Sequence, residues 1–247
     1  MLEQLIILTP IYNDWDSLNI LAKNLKLKGL GLNILIINDK STKKIKLEKE
    51  SFKHFKNIKV LSLKKNVGSQ RAIAIGLSYV RKKNFKFPIF VIDSDGEDNP
   101  RHLKKFIDIS KHNEDRLIVA IRTIRKENFF LKLIYKIYLI ITFILTHKYL
   151  RFGNFSLIQF NHLKKILEGN DIWFAYSSSL LSSKIKVKKI FLKKEFRYLG
   201  SSHMSYLDLI NHAFKILIVF KNRVSFNIII YNIFFYIFFQ KIQFYNF

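Results

Sequence analysis

Short continuous apolar runs, separated by polar stretches of helical period, organise the first half of the chain. Leu5-Ile6-Ile7-Leu8 is the first run. Leu18, Leu21, Ala22 and Leu25 then recur at the spacing of one helical face, and Gly29 and Gly31 close that helix. Asn33-Ile34-Leu35-Ile36-Ile37 predicts a second strand and Ile58-Lys59-Val60-Leu61-Ser62-Leu63 a third, with a helix from about Ser69 to Lys83 after it. Pro88-Ile89-Phe90-Val91-Ile92 is a fourth strand, followed by a helix near Pro100 to Lys111, and Leu117-Ile118-Val119-Ala120-Ile121 is a fifth. Runs of this kind read as strands buried on both faces. Alternating with helices, they predict an α/β fold on a mostly parallel sheet flanked by helices. In such sheets ligands bind beyond the carboxyl ends of the strands, so chemistry is expected just after each run.

Beyond Arg122 the pattern changes. Phe129 to Thr146 is almost wholly apolar, yet Lys132 and Lys136 fall four apart on one helical face, with Lys148 and Arg151 following. This predicts an amphipathic helix lying in a membrane interface with its lysines snorkelling, a buried helix being the alternative. Lys221-Asn222-Arg223 introduces a second apolar run, Val224 to Phe239, interrupted at Ser225, Asn227 and Asn232. As a helix that run reaches roughly 24 Å, short of a hydrocarbon core of about 30 Å. Membrane attachment is expected, its depth left open. The chain thus divides into a βα half (residues 1–125), a second half of the same domain facing the membrane (126–212), and a hydrophobic C-terminal segment (213–247).

Composition narrows the function classes. Of 247 residues, 43 are Lys or Arg against 18 acids, a formal net charge of +25. Such a balance suits nucleic acid, an anionic membrane or a phosphorylated ligand. The joint abundance of Lys, Ile, Asn and Phe accounts for part of it, as a nucleotide bias in the genome would. A nucleic-acid binder would interleave its basic residues with exposed aromatics on a recognised module. Here the aromatics sit in the apolar runs, and no nucleic-acid partner is expected. The absence of cysteine excludes disulfides, a thiolate nucleophile and a Cys-based zinc site. Met1-Leu2-Glu3-Gln4 has no basic character, so Leu5 is read as the start of a strand and no signal peptide is expected.

Against this basic background, Asp93, Asp95, Glu97 and Asp98 crowd into the segment VIDSDGEDNP at the end of the fourth strand. Alternation along a strand would set Asp93 and Asp95 on one side and Ser94 on the other. Two carboxylates so close repel each other unless a cation lies between them. Hard divalent ions such as Mg²⁺ or Mn²⁺ take oxygen ligands and complete their shell with water and substrate phosphate. The pair therefore points to a metal–diphosphate site, with an acidic loop capping the next helix as the alternative. The other strand ends carry Thr9-Pro10-Ile11-Tyr12-Asn13-Asp14, Asn38-Asp39-Lys40-Ser41-Thr42 and Asn66-Val67-Gly68-Ser69-Gln70-Arg71-Ala72.

With these four segments in order, residues 5–125 resemble the family 2 glycosyltransferases, and within them the dolichyl-phosphate mannose synthase-like, polyprenyl-phosphate branch. The resemblance implies a GT-A type nucleotide-sugar-binding fold. By position it implies that Pro10, Tyr12 and Asp14 line the nucleotide pocket and that Asp39 reads the base. Asn66, Gly68 and Arg71 would lie near the ribose and diphosphate. Asp93 and Asp95, with Glu97 as candidate third ligand, would hold Mg²⁺ or Mn²⁺. Arg122 and Arg125 would grip the acceptor's phosphate, with Arg122 counted among the catalytic residues. Two later segments depart from the family pattern. Gly153-Asn154-Phe155-Ser156-Leu157 has Asn154 for an acid and Ser156 for an arginine, and Arg197-Tyr198-Leu199-Gly200-Ser201-Ser202-His203-Met204 ends in His203 and Met204 instead of lysine and tyrosine. The implied activity is a metal-dependent, inverting transfer of a sugar from a nucleoside-diphosphate donor to a polyprenyl phosphate, at the cytoplasmic face of the membrane. The alternative acceptor, a glycolipid or surface-polysaccharide hydroxyl, needs a base, for which Asp98, Glu97 and His203 are candidates. An inactive membrane scaffold is the remaining alternative, against which the intact Asp93/Asp95 pair argues.

Overall fold

The computed structural model describes residues 3–27, 29–123, 129–149, 151–200 and 206–245, with backbone alone for helical residues 129–135, 206, 207, 209 and 239–245. Strand β1 (Gln4–Ile11) leads through α1 (Trp15–Asn24) to β2 (Gly31–Asn38), and a short α2 (Lys49–Phe52) precedes β3 (Phe55–Ser62). Helix α3 (Ser69–Lys82) returns to β4 (Ile89–Val91), and α4 (Leu103–Lys111) to β5 (Arg116–Arg122). Then come α5 (Phe129–Thr146), β6 (Phe152–Ile158), α6 (Leu163–Leu167), α7 (Tyr176–Ser182), β7 (Lys186–Leu192), α8 (Tyr206–Val219) and α9 (Lys221–Tyr245).

Among the described residues the strands form one sheet in the order β3-β2-β1-β4-β6-β5-β7. The β1/β2, β1/β4 and β2/β3 pairs are parallel, as the run pattern predicts, and so is the β5/β7 pair, whose second strand the pattern does not announce. Strand β6 differs. It arrives after α5 and runs antiparallel to both β4 and β5, which makes the sheet mixed. The expectation that all five runs are buried on both faces fails at β3, an edge strand on which Ile58 is 45% exposed. Elsewhere alternate side chains feed two cores. Leu5, Ile7, Ile34, Ile36 and Phe90 pack with α1 and α4 on one face. Ile6, Leu8, Leu35, Ile37 and Val91 pack with α3, α6 and α7 on the other. Pro10 is buried in β1 opposite Ile37, past the last β1/β4 pair at Leu8 and Val91, where its missing N–H costs no ladder bond.

The chain divides into two compact units, Met1–Arg125 with Arg151–Met204, and Lys126–Leu150 with Ser205–Phe247. The first holds the sheet. The second holds α5, α8 and α9. Within it Asn227 donates to the Leu145 carbonyl at 2.8 Å and the Tyr231 hydroxyl to that of Ile144 at 2.9 Å, tying α9 to the end of α5. The C-terminal helix is longer than the apolar run that announces it, and it is apolar around its circumference instead of amphipathic, with Phe226, Ile229, Phe234 and Tyr236 all exposed. Lys136 is exposed on α5, whereas the side chain of Lys132 lies outside the described residues. No helix among the described residues is long and apolar enough to cross a membrane.

Candidate active site

The acidic segment begins where β4 ends. Because β4 stops at Val91, residues 93–98 form a turn, and strand alternation does not set the directions of Asp93 and Asp95 as expected. The turn passes through Gly96 at φ 87°, a left-handed conformation that favours glycine. The Tyr198 ring closes over it, so that a Cβ at Gly96 would come within 2.7 Å of the ring carbons. Two backbone bonds fasten the same downstream segment along the turn, Tyr198 N–H to the Asp95 carbonyl at 2.8 Å and Glu195 N–H to the Glu97 carbonyl at 2.9 Å.

Three cations meet three of the four acids. Arg122 forks onto Asp98, Nη2 to Oδ2 at 3.0 Å and Nε to Oδ1 at 3.3 Å, and reaches Glu97 at 3.5 Å. Lys194 meets Glu97 at 3.0 Å. Arg197 meets Asp95 at 2.8 Å and Glu97 at 3.3 Å. Burial opposes the Arg122 charge, but Asp98, Asp93 and Glu97 hold its pKa above the ordinary value. Burial also opposes the Glu97 charge, yet Lys194, Arg122 and Arg197 hold that carboxyl below the usual range.

Asp93 is the exception. It makes no ion pair among the described residues, and its carboxylate instead accepts both contacts of the Asn154 amide, at 3.0 and 3.2 Å. Desolvation first, and then Asp95 and Asp98, push its pKa up to about 7. Desolvation raises Asp95 as well. Asn154 comes from β6, the antiparallel strand beside β4, and its own oxygen accepts from Gln70 at 2.9 Å. Gln70 lies in the first turn of α3, so the acidic turn and the start of that helix are joined through two side-chain amides.

The remaining strand ends build the rim of this site. Asp39 is buried at the end of β2, its two oxygens accepting the N–H groups of Val67 at 2.7 Å and Gly68 at 2.8 Å. Asn66 also accepts from the Gly68 N–H, at 3.2 Å. Gly68 caps α3 at φ 84° with no atom near its missing Cβ. The first N–H groups of a helix have no partner within it and favour an anion. Asn13, at φ 59°, gathers Thr42 N–H at 2.7 Å and Lys43 N–H at 3.0 Å, and so locks the loop after β1 to the loop after β2. Tyr12 is 49% exposed beside it and Asp14 is half-buried at the head of α1. Arg71 turns its Nε to the Trp173 carbonyl at 3.0 Å.

The structure thus brings Asp93, Asp95, Glu97 and Arg122 into one cluster, and Asp39, Asn66 and Gly68 into one loop. Pro10 lies within the sheet. Arg125 and His203 lie outside the described residues. Sequence reasoning missed Gln70, Asn13, Lys194 and Arg197 as parts of the site. Gln70 and Asn13 stand inside quoted motifs, where adjacency to Gly68 and Tyr12 was the available signal, but Lys194 carries none.

The donor set tests the fit of a hard cation. No three His, Cys, Asp or Glu side chains converge as a metal centre among the described residues. Both oxygens of Glu97 are engaged by cations, which does not suit it to a third ligand position. Asp93 fits, and Asp95 offers a second carboxylate of raised pKa, although Arg197 holds one of its oxygens and the Glu97 N–H the other; an added cation would relieve their repulsion.

The chain matches the family described as Glycosyl transferase family 2 over residues 6–190. No curated protein matches it by sequence. Among solved structures, a mycobacterial protein is similar at a TM-score of 0.60 and 11% identity, covering 90% of this chain and 75% of that one. That likeness is one of fold. The 1–349 portion of S. aureus TarS aligns with a TM-score of 0.48 and 16% identity over 89% of this chain and 71% of that one. Its complex with UDP-GlcNAc gives 0.49 and 15%, over 89% and 72%. With residues 6–190 of its 247 in that match, and a mixed seven-stranded sheet of GT-A type beneath it, the chain belongs to glycosyl transferase family 2 and is a glycosyltransferase.

Proposed function

We propose that the protein transfers a sugar, with inversion, from a nucleoside-diphosphate donor to a polyprenyl phosphate on the cytoplasmic face of a membrane. The observation that carries the reading is the junction of the Asp93/Asp95 turn with the start of α3 through Asn154 and Gln70. It joins a cation-binding carboxylate pair to an anion-binding helix terminus, the two halves that a metal–diphosphate group requires.

Asp93 and Asp95 would hold Mg²⁺ or Mn²⁺, which when bound supplies Lewis-acid neutralisation of the departing diphosphate. Asp39 fixes the loop at Val67 and Gly68 on which the nucleotide would rest. Tyr12 and Asp14 offer an exposed ring and a carboxylate on the same rim, and Asn66, Gly68 and Arg71 flank the α3 terminus. The acceptor oxygen attacks the anomeric carbon opposite the leaving group. The carbon–oxygen bond to the diphosphate breaks, and its electron pair leaves with the nucleoside diphosphate. A phosphate acceptor arrives ionised and needs no base.

Attachment to an anionic membrane surface is supported by the exposed apolar side chains of α5, α8 and α9 and by the charge of +25. A second reading, transfer to a glycolipid or polysaccharide hydroxyl, draws support from Arg122, whose guanidinium is occupied by Asp98 and Glu97 instead of standing open for a phosphate. The test is a panel of nucleotide sugars with Mn²⁺ or Mg²⁺, scored by thermal shift, followed by transfer assays to polyprenyl phosphate and to a glycolipid. Stabilisation by one nucleotide sugar and labelling of the polyprenyl phosphate is expected. Labelling of the glycolipid alone selects the second reading, and the absence of any metal-dependent nucleotide-sugar shift overturns both.

A further inference from the structure

The amides between α3 and Asp93 have a fixed polarity that begins at a backbone N–H. The Tyr176 N–H can only donate, and the Gln70 oxygen accepts it at 2.9 Å. The NH₂ of Gln70 must then face Asn154, whose oxygen accepts it at 2.9 Å. That turns the NH₂ of Asn154 onto Asp93, where it reaches both carboxylate oxygens at 3.0 and 3.2 Å. The backbone of Asn154 is held as well. Its carbonyl accepts the buried Ser156 hydroxyl at 2.8 Å, and that hydroxyl lies 2.6 Å from the phenol of fully buried Tyr176. Both ends of Tyr176 therefore brace the same pair of amides, and Asn154 is only 8% exposed.

We propose that Gln70 and Asn154 are positioning residues for transfer, a polar relay that holds the Asp93 carboxylate in the orientation in which it takes the cation. The proposal rests on the reading of Asp93 as a cation ligand. Neither amide touches the cation. Each acts through the next, so the sign of the last contact depends on the first. The position at which the family pattern has an acid therefore works here as an amide, since an acid at residue 154 could not donate to Asp93.

Gln70→Glu is the discriminating variant. It is isosteric and still accepts the Tyr176 N–H, but as a carboxylate it cannot donate to Asn154. The Asn154 amide then turns over and presents its oxygen to Asp93. If Gln70 merely filled space, the added negative charge would tighten cation binding. If the relay holds Asp93, cation binding weakens, and the two effects have opposite signs. The measurement is Mn²⁺ binding to the full chain, followed by electron paramagnetic resonance of the free ion, with thermal unfolding recorded in parallel. Gln70→Glu is expected to weaken Mn²⁺ binding by about tenfold or more, the usual effect of losing a partner behind a metal ligand. Asn154→Leu, which removes the amide on Asp93 and with it the acceptor of the Gln70 NH₂, is expected to do the same and serves if Gln70→Glu does not fold. Unchanged or tighter Mn²⁺ binding in the folded variants overturns the relay. Asp93→Asn separates the two readings: if it leaves Mn²⁺ binding intact, the assignment of the cation to Asp93 falls, whatever the relay variants do.

Discussion

At the scale of single residues, charge burial governs what can be expected. Asp93 has an ordinary pKa of 3.8 in the unfolded chain and one of about 7 when folded. The folded protein therefore holds an extra proton between those values. The associated stability is complete below the lower one and lost as pH rises through the upper. Half-buried His54, His102, His162 and His212 have depressed pKa values and act in the opposite sense, so only a comparison isolates Asp93. In chelator, Asp93→Asn should raise the melting temperature at about pH 8 and much less at about pH 5, where the wild-type carboxyl is already neutral. Equal effects at both pH values would remove Asp93 from this role. Arg122→Ala strands the Asp98 carboxylate, which is 4% exposed. Loss of one partner of a buried pair costs about 3–5 kcal/mol. Denaturant melts should show that loss, and Asp98→Asn should restore part of it. Donor affinity should fall together with acceptor use, because the whole acidic turn loses an anchor. Of this cluster, the acids were legible because they share one short segment. Lys194 and Arg197 arrive about a hundred residues later, and no local pattern marks such a pairing.

At the scale of elements, local pattern predicted what local physics decides. Runs such as Leu5–Leu8 and Leu117–Ile121 announce strands because both faces of the central sheet are covered. The run pattern does not announce β6 and β7. Ser156 and Asn154 interrupt the apolar character of the first, and Lys186, Lys188 and Lys189 that of the second, an edge strand. The insertion of β6 between β4 and β5 is a long-range pairing that no window of sequence contains. Glycine placement, by contrast, can be tested one turn at a time. Gly68→Ala meets open space and should lose only the cost of its glycine-favouring backbone, φ 84° and ψ 153°, about 1–3 kcal/mol in chemical denaturation. Gly96→Ala also places a side chain at positive φ and in addition collides with the Tyr198 ring, so its loss should be clearly larger. Equal losses would mean that Tyr198 does not pack on the turn.

At the scale of the whole molecule, the two compact units predict separable behaviours. Cutting the chain after Asn222 leaves every segment of the sheet-bearing unit intact, so its nucleotide-dependent thermal shift should persist. The same cut removes Phe226, Ile229, Phe234 and Tyr236 and should weaken binding to anionic vesicles. What remains would rely more on Lys136, Lys148 and Arg151 at about 1 kcal/mol each. High salt should therefore release the truncated protein more readily than the full chain, since screening acts on charge and not on buried apolar area. Vesicle co-sedimentation at low and high salt measures this. Equally firm binding of both forms at high salt would show that α9 is not the membrane-binding element.

The acidic turn also has a history in time. Its partners are spaced unevenly along the chain, Arg122 at 24 residues from Asp98, Asn154 at 61 from Asp93 and Arg197 at 100 from Glu97. During synthesis at about 5–20 residues per second, roughly five to twenty seconds separate the emergence of Glu97 from that of Arg197. The parallel β3-β2-β1-β4 ladder has all its strands by residue 91, long before the turn at its edge can be neutralised. On the ribosome, therefore, the scaffold can assemble early, and the carboxylates stay hydrated and mutually repelling until the last cation is delivered.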